Sequence, residues 1–207
     1  INPNTSTDAT ALMLASARQA LPVGFSVEGR TAPRGQRLIT HAAALGDAAQ
    51  VMADYGVQVA AEGFDALIIS GFGDPGLQAL RHRVNVPVHG IAEAGIAEAA
   101  HGGRRYAIVT VTPDLHDSLL QSAKAHGSAG TLAGIRYTQA PLDDVMRTPE
   151  ALEAALLQAC QLAVALDGAQ AIVIGGGPLA RAARDIAEQL HIPVIDPVSA
   201  AIRLVTK

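Results

Sequence analysis

The chain has 207 residues and a formal net charge of −4, with 49% hydrophobic side chains but only 3% aromatic ones and no tryptophan. That length buries a sizeable core as one large domain or two small ones, and its mixed charge offers neither the basic stripe nor the interleaved aromatics of a nucleic-acid binder. No apolar run approaches the roughly 18 residues of a membrane span, and the single cysteine, Cys160, excludes an internal disulfide and a cysteine-built metal cluster.

A core made of Ala, Val, Leu and Ile is the usage of a parallel sheet covered by Ala-rich helices. With no signal-peptide pattern, a cytoplasmic location is the expectation. Ile1 reads as a strand end, so a few strand residues are expected ahead of it.

Taken in order, Ile1 to Ser6 is a strand end followed by a polar turn, with Thr7 or Asp8 capping a helix that runs to Ala20. Gly24 to Val27 reads as a short second strand, and the segment from Glu28 to Gln36, with Arg30 and Arg34 inside it and Arg37 just beyond, reads as a mobile, solvated loop. Apolar spacing then predicts a helix from Arg37 to Glu62, with His41 on its surface or core edge. A buried strand over 66–70 runs into a glycine-rich turn, Gly71-Phe72-Gly73-Asp74-Pro75-Gly76, with a helix behind it.

Further strands are expected over 86–89, 104–110, 134–137, 171–174 and 192–195. Helices begin near Gly90, Pro113, Pro178 and Val198, and another at Pro149 with Thr148 as its cap. Strict alternation of strands and helices means parallel α/β sheets with right-handed crossovers.

The chain repeats itself. The run from Glu62 to Gly71 matches that from Asp167 to Gly176 position by position, Val86 to Gly90 matches Ile192 to Asp196, and Ile1 to Thr5 pairs loosely with Ile108 to Pro113. The fold expected is therefore α/β, with two pseudo-symmetric parallel-sheet halves and the site in the cleft between them. The first half is 1–98 together with the closing helix 198–207, and the second is 99–197. Ligands of open α/β sheets bind outside the carboxyl ends of the strands, where both glycine turns and both Asn/Thr-rich turns lie. Backbone N–H groups with short hydroxyls and amides suit a small, polar, anionic or imide-like ligand. Neither turn is a Walker or a dinucleotide motif, and no His or acid pair has metal-ligand spacing.

The runs Ile1-Asn2-Pro3-Asn4-Thr5-Ser6, Phe72-Gly73-Asp74-Pro75-Gly76-Leu77, Gly90-Ile91-Ala92-Glu93-Ala94 and Pro193-Val194-Ile195-Asp196 resemble the aspartate/glutamate/hydantoin racemase family, nearest its hydantoin and allantoin racemase branch. The resemblance implies a cofactor-independent isomerase with no metal, a small-molecule substrate of hydantoin or carboxylate type, and a homo-oligomer. It also implies two cysteines, one per half, that exchange a proton at the carbon next to a carbonyl from opposite faces. Those positions fall at Gly71 and Gly176, and glycine neither takes nor gives a proton.

What the resemblance leaves is a substrate shell of Asn4, Thr5, Ser70, Phe72, Gly73, Thr110, Thr112, Gly177 and Pro178, able to hold a carboxylate or an enolate. A different base would then be needed, and His89 and Asp196, each ending a strand, are the candidates. Asp74 and Glu93 read as helix-start acids, Asp74 for the helix at Pro75, and Cys160 as a packing residue. A silent binder, or a member with lyase or hydrolase chemistry, is the alternative.

Overall fold

The computed structural model describes residues 1–127 and 130–207. Its first half contains α1 (Thr7–Ala20), α2 (Ala42–Ala60), β1 (Leu67–Ile69), α3 (Leu77–Arg81), β2 (Val88–Gly90) and α4 (Ile91–Ala99). The second contains β3 (Tyr106–Thr110), α5 (His116–His126), β4 (Leu132–Tyr137), α6 (Leu142–Val145), α7 (Pro149–Asp167), β5 (Ala171–Ile174), α8 (Ala180–Ala187) and β6 (Val194–Ile195). The last helix, α9 (Pro197–Val205), packs against α4 and α1. No helix among the described residues is long and apolar enough to cross a membrane.

All strand pairings are parallel, β1 with β2 in one sheet and β4-β3-β5-β6 in the other. The first residues of the chain extend the smaller sheet. Ile1 donates to Ile68 O and accepts from Ser70 N, while Asn2 N donates to Arg30 O at 2.8 Å and Ala32 N to Asn2 O at 3.0 Å. The spatial order 30–32, 1–2, β1, β2 thus copies β4, β3, β5, β6. The bond from Ser70 N to Ile1 O has its counterpart in Gly175 N to Val109 O, both at 2.8 Å.

β3 and β5 are buried on both faces. Tyr106, Ile108, Ala171 and Val173 join a core with α1, α4 and α9, whereas Ala107, Val109, Ile172 and Ile174 join one with α7 and α8. That alternation is the two-residue period of a strand covered on each side. Cys160 is fully buried in the second of these cores, where burial pushes its thiol up to about 12.

Local capping corrects several expected boundaries. Ser6, one residue earlier than expected, caps α1, its Oγ accepting from Ala9 N at 3.2 Å. α2 starts at Ala42 because His41 is its cap, Nδ1 accepting from Ala44 N at 3.2 Å, a role that a surface reading of His41 misses. No strand forms over 24–27. Gly24 turns the chain at φ 92°, Val23 and Phe25 remain exposed, and sheet pairing arrives only at residues 30–32.

The loop that follows is tied down. Arg30 pairs with Glu28 at 2.9 Å and Glu62 at 2.6 Å and stacks 5.2 Å over the Phe64 ring, and Arg37 meets Asp8 at 3.2 Å. Such surface pairs are individually weak. Thr148 caps α7 as expected, accepting from Ala151 N.

Candidate active site

β1 and β5 end side by side, and the chain leaves each of them through glycine. After β1, Gly71 O accepts from Asp74 N at 2.9 Å, closing a tight turn in which Gly73 has φ 104° and Asp74 φ 49°. After β5, Gly176 is extended and Gly177–Leu179 forms a single 3₁₀ turn ahead of α8. The two turns touch. A Cβ at Gly175 would lie 3.5 Å from Phe72 Cδ1, and one at Gly177 would lie 3.2 Å from Ser70 O and 2.2 Å from Met13 Sδ. Only glycine at 177 lets the second turn come that close.

Between the turns lies a cavity of about 80 Å³. Its floor is Pro3, Asn4, Ser70, Gly71, Phe72, the segment 110–112 and the segment 175–179. Its roof is apolar, with Leu38, Ile39 and Leu45 from the first half and Leu115, Leu142 and Met146 from the second. Gly71 and Gly176 therefore face the same space. The backbone N–H groups of Gly71, Phe72 and Gly177 donate to no protein acceptor among the described residues. Gly71 is half-buried and Phe72 and Gly177 are buried, and N–H groups without a protein acceptor at such a cavity are available to a ligand's oxygen.

Around them Thr110 Oγ1 donates to Gly175 O at 2.7 Å and lies 3.3 Å from Thr112 Oγ1. Asn4 Oδ1 accepts from Asn2 Nδ2 and Ser6 N, both at 2.9 Å, while its Nδ2 donates to no protein acceptor among the described residues. Ser70 and Pro178 line the cavity as well. Thr5 and Gly73 do not; Thr5 N is bonded to Gln36 O at 3.0 Å.

The two candidate bases lie elsewhere. Asp196 is the cap of α9, with Oδ1 accepting from Val198 N at 2.9 Å and Oδ2 from Ser16 Oγ at 2.6 Å and Ser199 Oγ at 2.5 Å. His89 lines a separate groove of about 620 Å³ bordered by α1 and α9, where burial holds its imidazole below the usual value. No residue lining the smaller cavity carries an ionisable side chain. The site as built offers hydrogen-bond donors, hydroxyls and apolar walls, and no side chain that takes up a proton near neutral pH.

Asp74 caps a helix, but not the expected one. Its Oδ1 accepts from Ala92 N at 2.8 Å and its Oδ2 from Glu93 N at 2.7 Å, at the start of α4. The room for this carboxylate is the missing side chain of Gly90, whose Cβ would lie 2.1 Å from Asp74 Cγ. In the repeat, Gly90 aligns with Asp196, so one half caps its helix from within and the other from the glycine turn. The roof residues Leu38, Ile39, Leu142 and Met146 were also missed by sequence reasoning. In the folded chain Leu38 and Met146 are large apolar side chains left about two-fifths exposed in connecting segments.

Known proteins share the sequence and the fold over the whole chain. Residues 1–205 match the family model described as Asp/Glu/Hydantoin racemase. The chain is 30% identical to a hydantoin racemase from Paenarthrobacter aurescens over 99% of its own length and 87% of that protein's. It is similar to an allantoin racemase from Klebsiella pneumoniae with a TM-score of 0.92 at 30% identity, covering 99% of this chain and 84% of that one. An arylmalonate decarboxylase shares the fold at a TM-score of 0.60 and 17% identity, over 77% of this chain and 75% of that one. With a match that runs from the first residue to residue 205, and relatives covered nearly end to end, the chain belongs to the Asp/Glu/hydantoin racemase family.

Proposed function

We propose that the cavity binds a small neutral ring of the hydantoin type and that the protein acts as a cofactor-independent isomerase at the carbon next to a ring carbonyl, without a thiol pair. The observation that carries this reading is the set of unpaired N–H groups at Gly71, Phe72 and Gly177 around one cavity. They hold the carbonyl oxygen and the enolate charge that builds on it. When the C–H bond breaks, its electron pair moves into the carbonyl and its proton passes to water or hydroxide in the cleft. Reprotonation from the other face inverts the centre. Without a positioned acid and base, the rate loses the roughly 10²- to 10⁴-fold that such groups supply.

The lining also bears on the substrate. With no cationic side chain in the cavity, a dicarboxylic amino acid would leave its charges unpaired on burial. The roof of Leu38, Ile39, Leu142 and Met146 instead suits a ring with an apolar substituent.

A second reading, a binder without turnover, is favoured by the absence of any ionisable side chain in the cavity. One experiment separates them. Optically pure benzylhydantoin is incubated with the protein in heavy water, and deuterium uptake and loss of optical purity are followed by NMR and chiral chromatography. Exchange and racemisation above the buffer rate support the enzyme, and thermal stabilisation by the ring without exchange supports the binder. If neither occurs, both readings fail.

A further inference from the structure

Asp74 joins the first glycine turn to helices that approach it from different directions. Its N–H closes the turn on Gly71 O at 2.9 Å, and its carbonyl accepts from Leu77 N at 3.2 Å where α3 begins. Its carboxylate holds the first N–H groups of α4, and His126 Nε2, at the end of α5, stands 3.8 Å from Oδ2. It is the one non-glycine residue at positive φ among the described residues, and strain of that kind persists only where the surroundings enforce it. Gly90 supplies that enforcement, since no other side chain fits between β2 and the carboxylate.

We propose that Asp74 is the positioning residue of the cleft: by anchoring the turn to the α4 N-terminus, its ionised carboxylate sets the direction in which the Gly71 and Phe72 N–H groups meet a bound carbonyl. The proposal rests on the reading of the cavity as a site for a carbonyl-bearing ring. It extends that reading to a residue that does not line the cavity.

The anchor is sensitive to protons. An ionised carboxylate accepts from both Ala92 N and Glu93 N, whereas the protonated acid turns one of its oxygens into a donor facing a donor. Burial pushes the Asp74 carboxyl up to about 7, opposed by the two backbone N–H groups, reinforced by the charge of Glu93 on α4 and opposed by Arg81 on α3. Arg81 and Glu93 are themselves paired at 2.7 Å. His126, at the end of α5, and His89, on β2, are both held below the usual imidazole value by burial and share the Glu93 and Arg81 neighbourhood. The anchor therefore tightens as pH rises through neutrality.

The test uses Asp74→Asn, with Asp74→Gly as a second variant that tolerates the same φ. Two readouts are taken from about pH 5 to about pH 9. The first is the amide chemical shifts of Gly71, Phe72 and Gly73 without ligand. The second is the Kd for benzylhydantoin by calorimetry.

In the unmutated protein the three amides should titrate together with a midpoint near 7, and affinity should rise through the same range. In Asp74→Asn both titrations should vanish and binding should weaken about tenfold, the loss expected for one charge-assisted hydrogen bond. A merely structural role would shift the melting temperature and leave the Kd for benzylhydantoin in Asp74→Asn equal to that of the unmutated protein at every pH. Turn amides that do not titrate in the unmutated protein, or that titrate unchanged in either folded variant, overturn the proposal. If the turn titrates and the variant abolishes it while benzylhydantoin never binds, the positioning role stands and the ligand reading falls.

Discussion

Restoring a thiol at each glycine position should have unequal structural consequences and a large chemical one. Gly176 sits at φ 173° and ψ 124°, extended backbone that any residue adopts. A Cβ there would lie 2.9 Å from Leu179 Cδ1 and 3.0 Å from Leu179 Cγ, so a leucine side chain must yield by a few tenths of an ångström. At Gly71 the Cβ would lie 2.4 Å from Pro3 Cγ and 3.3 Å from both Pro3 Cδ and Pro75 Cδ, and a buried proline ring has only its pucker to give.

Overpacking of that kind costs about 1–3 kcal/mol, offset by about 0.4–1 kcal/mol from the stiffer unfolded chain. The net of about 0.6–2 kcal/mol, at roughly 2–4 °C per kcal/mol for a chain of this size, means that Gly71→Cys should lower the melting temperature by about 1–8 °C. Gly176→Cys should stay within about 3 °C of the unmutated protein.

Both thiols would face one cavity lined by free N–H groups, which favour the thiolate. Each single variant should therefore exchange deuterium into benzylhydantoin from one face with little loss of optical purity. The double variant should exchange and racemise together, at least about 10²-fold faster than the unmutated protein. Melting curves, NMR exchange and chiral chromatography give the three readouts. A folded double variant that binds the ring yet exchanges no faster than the unmutated chain would falsify the assignment of 71 and 176 as the two proton-transfer positions.

Three other changes probe separate parts of the structure. Met146→Ala removes roof surface that is 41% exposed, so stability should hold while affinity for benzylhydantoin drops by several-fold and that for unsubstituted hydantoin barely moves, as titration calorimetry would register. Thr110→Val strips Gly175 O of its 2.7 Å donor inside the core and should destabilise by about 1–3 kcal/mol in urea unfolding; an unchanged midpoint would mean that the carbonyl finds another partner.

The Asp74 carboxyl, at about 7 in the fold against an ordinary 3.8, binds its proton more tightly folded than unfolded. Its contribution to stability is thus fullest below about pH 4, declines as pH rises from about 4 to about 7, and is flat above that. Relative to Asp74→Asn, the unmutated protein should lose stability over that window by an amount on the order of 4 kcal/mol. A difference between the two that does not vary with pH would refute this.

The candidate site was legible in outline because its parts recur. The matched runs ending at Gly71 and Gly176 placed two turns at strand ends, and the folded chain puts both on one cavity with Asn4, Ser70, Phe72, Thr110, Thr112, Gly177 and Pro178. Candidate bases could not be read the same way. His89 lies within β2 rather than at its end, and Asp196 follows β6 as expected, yet a side chain at a strand end turns toward whichever neighbour offers a partner. For Asp196 those partners are the α9 N-terminus, Ser16 and Ser199. The roof was missed because Leu38 was read into the helix expected from Arg37, which starts only at Ala42, and Met146 lies in a connecting segment where no periodicity marks which side chain is used.

The sequence by itself determined the α/β class, the parallel order, the duplication and the two glycine turns. Strands covered on both faces must be continuous apolar runs, and a chain that reverses tightly beside a ligand needs glycine; both requirements are local and leave a local record. Only the tertiary structure decided that the Asp74 carboxylate crosses to Ala92 and Glu93, and that the first two residues slot between β1 and residues 30–32. Those choices depend on which unpaired N–H groups come within hydrogen-bond reach once the helices have packed. Residues far apart in the chain make that decision together, and no window of sequence contains it.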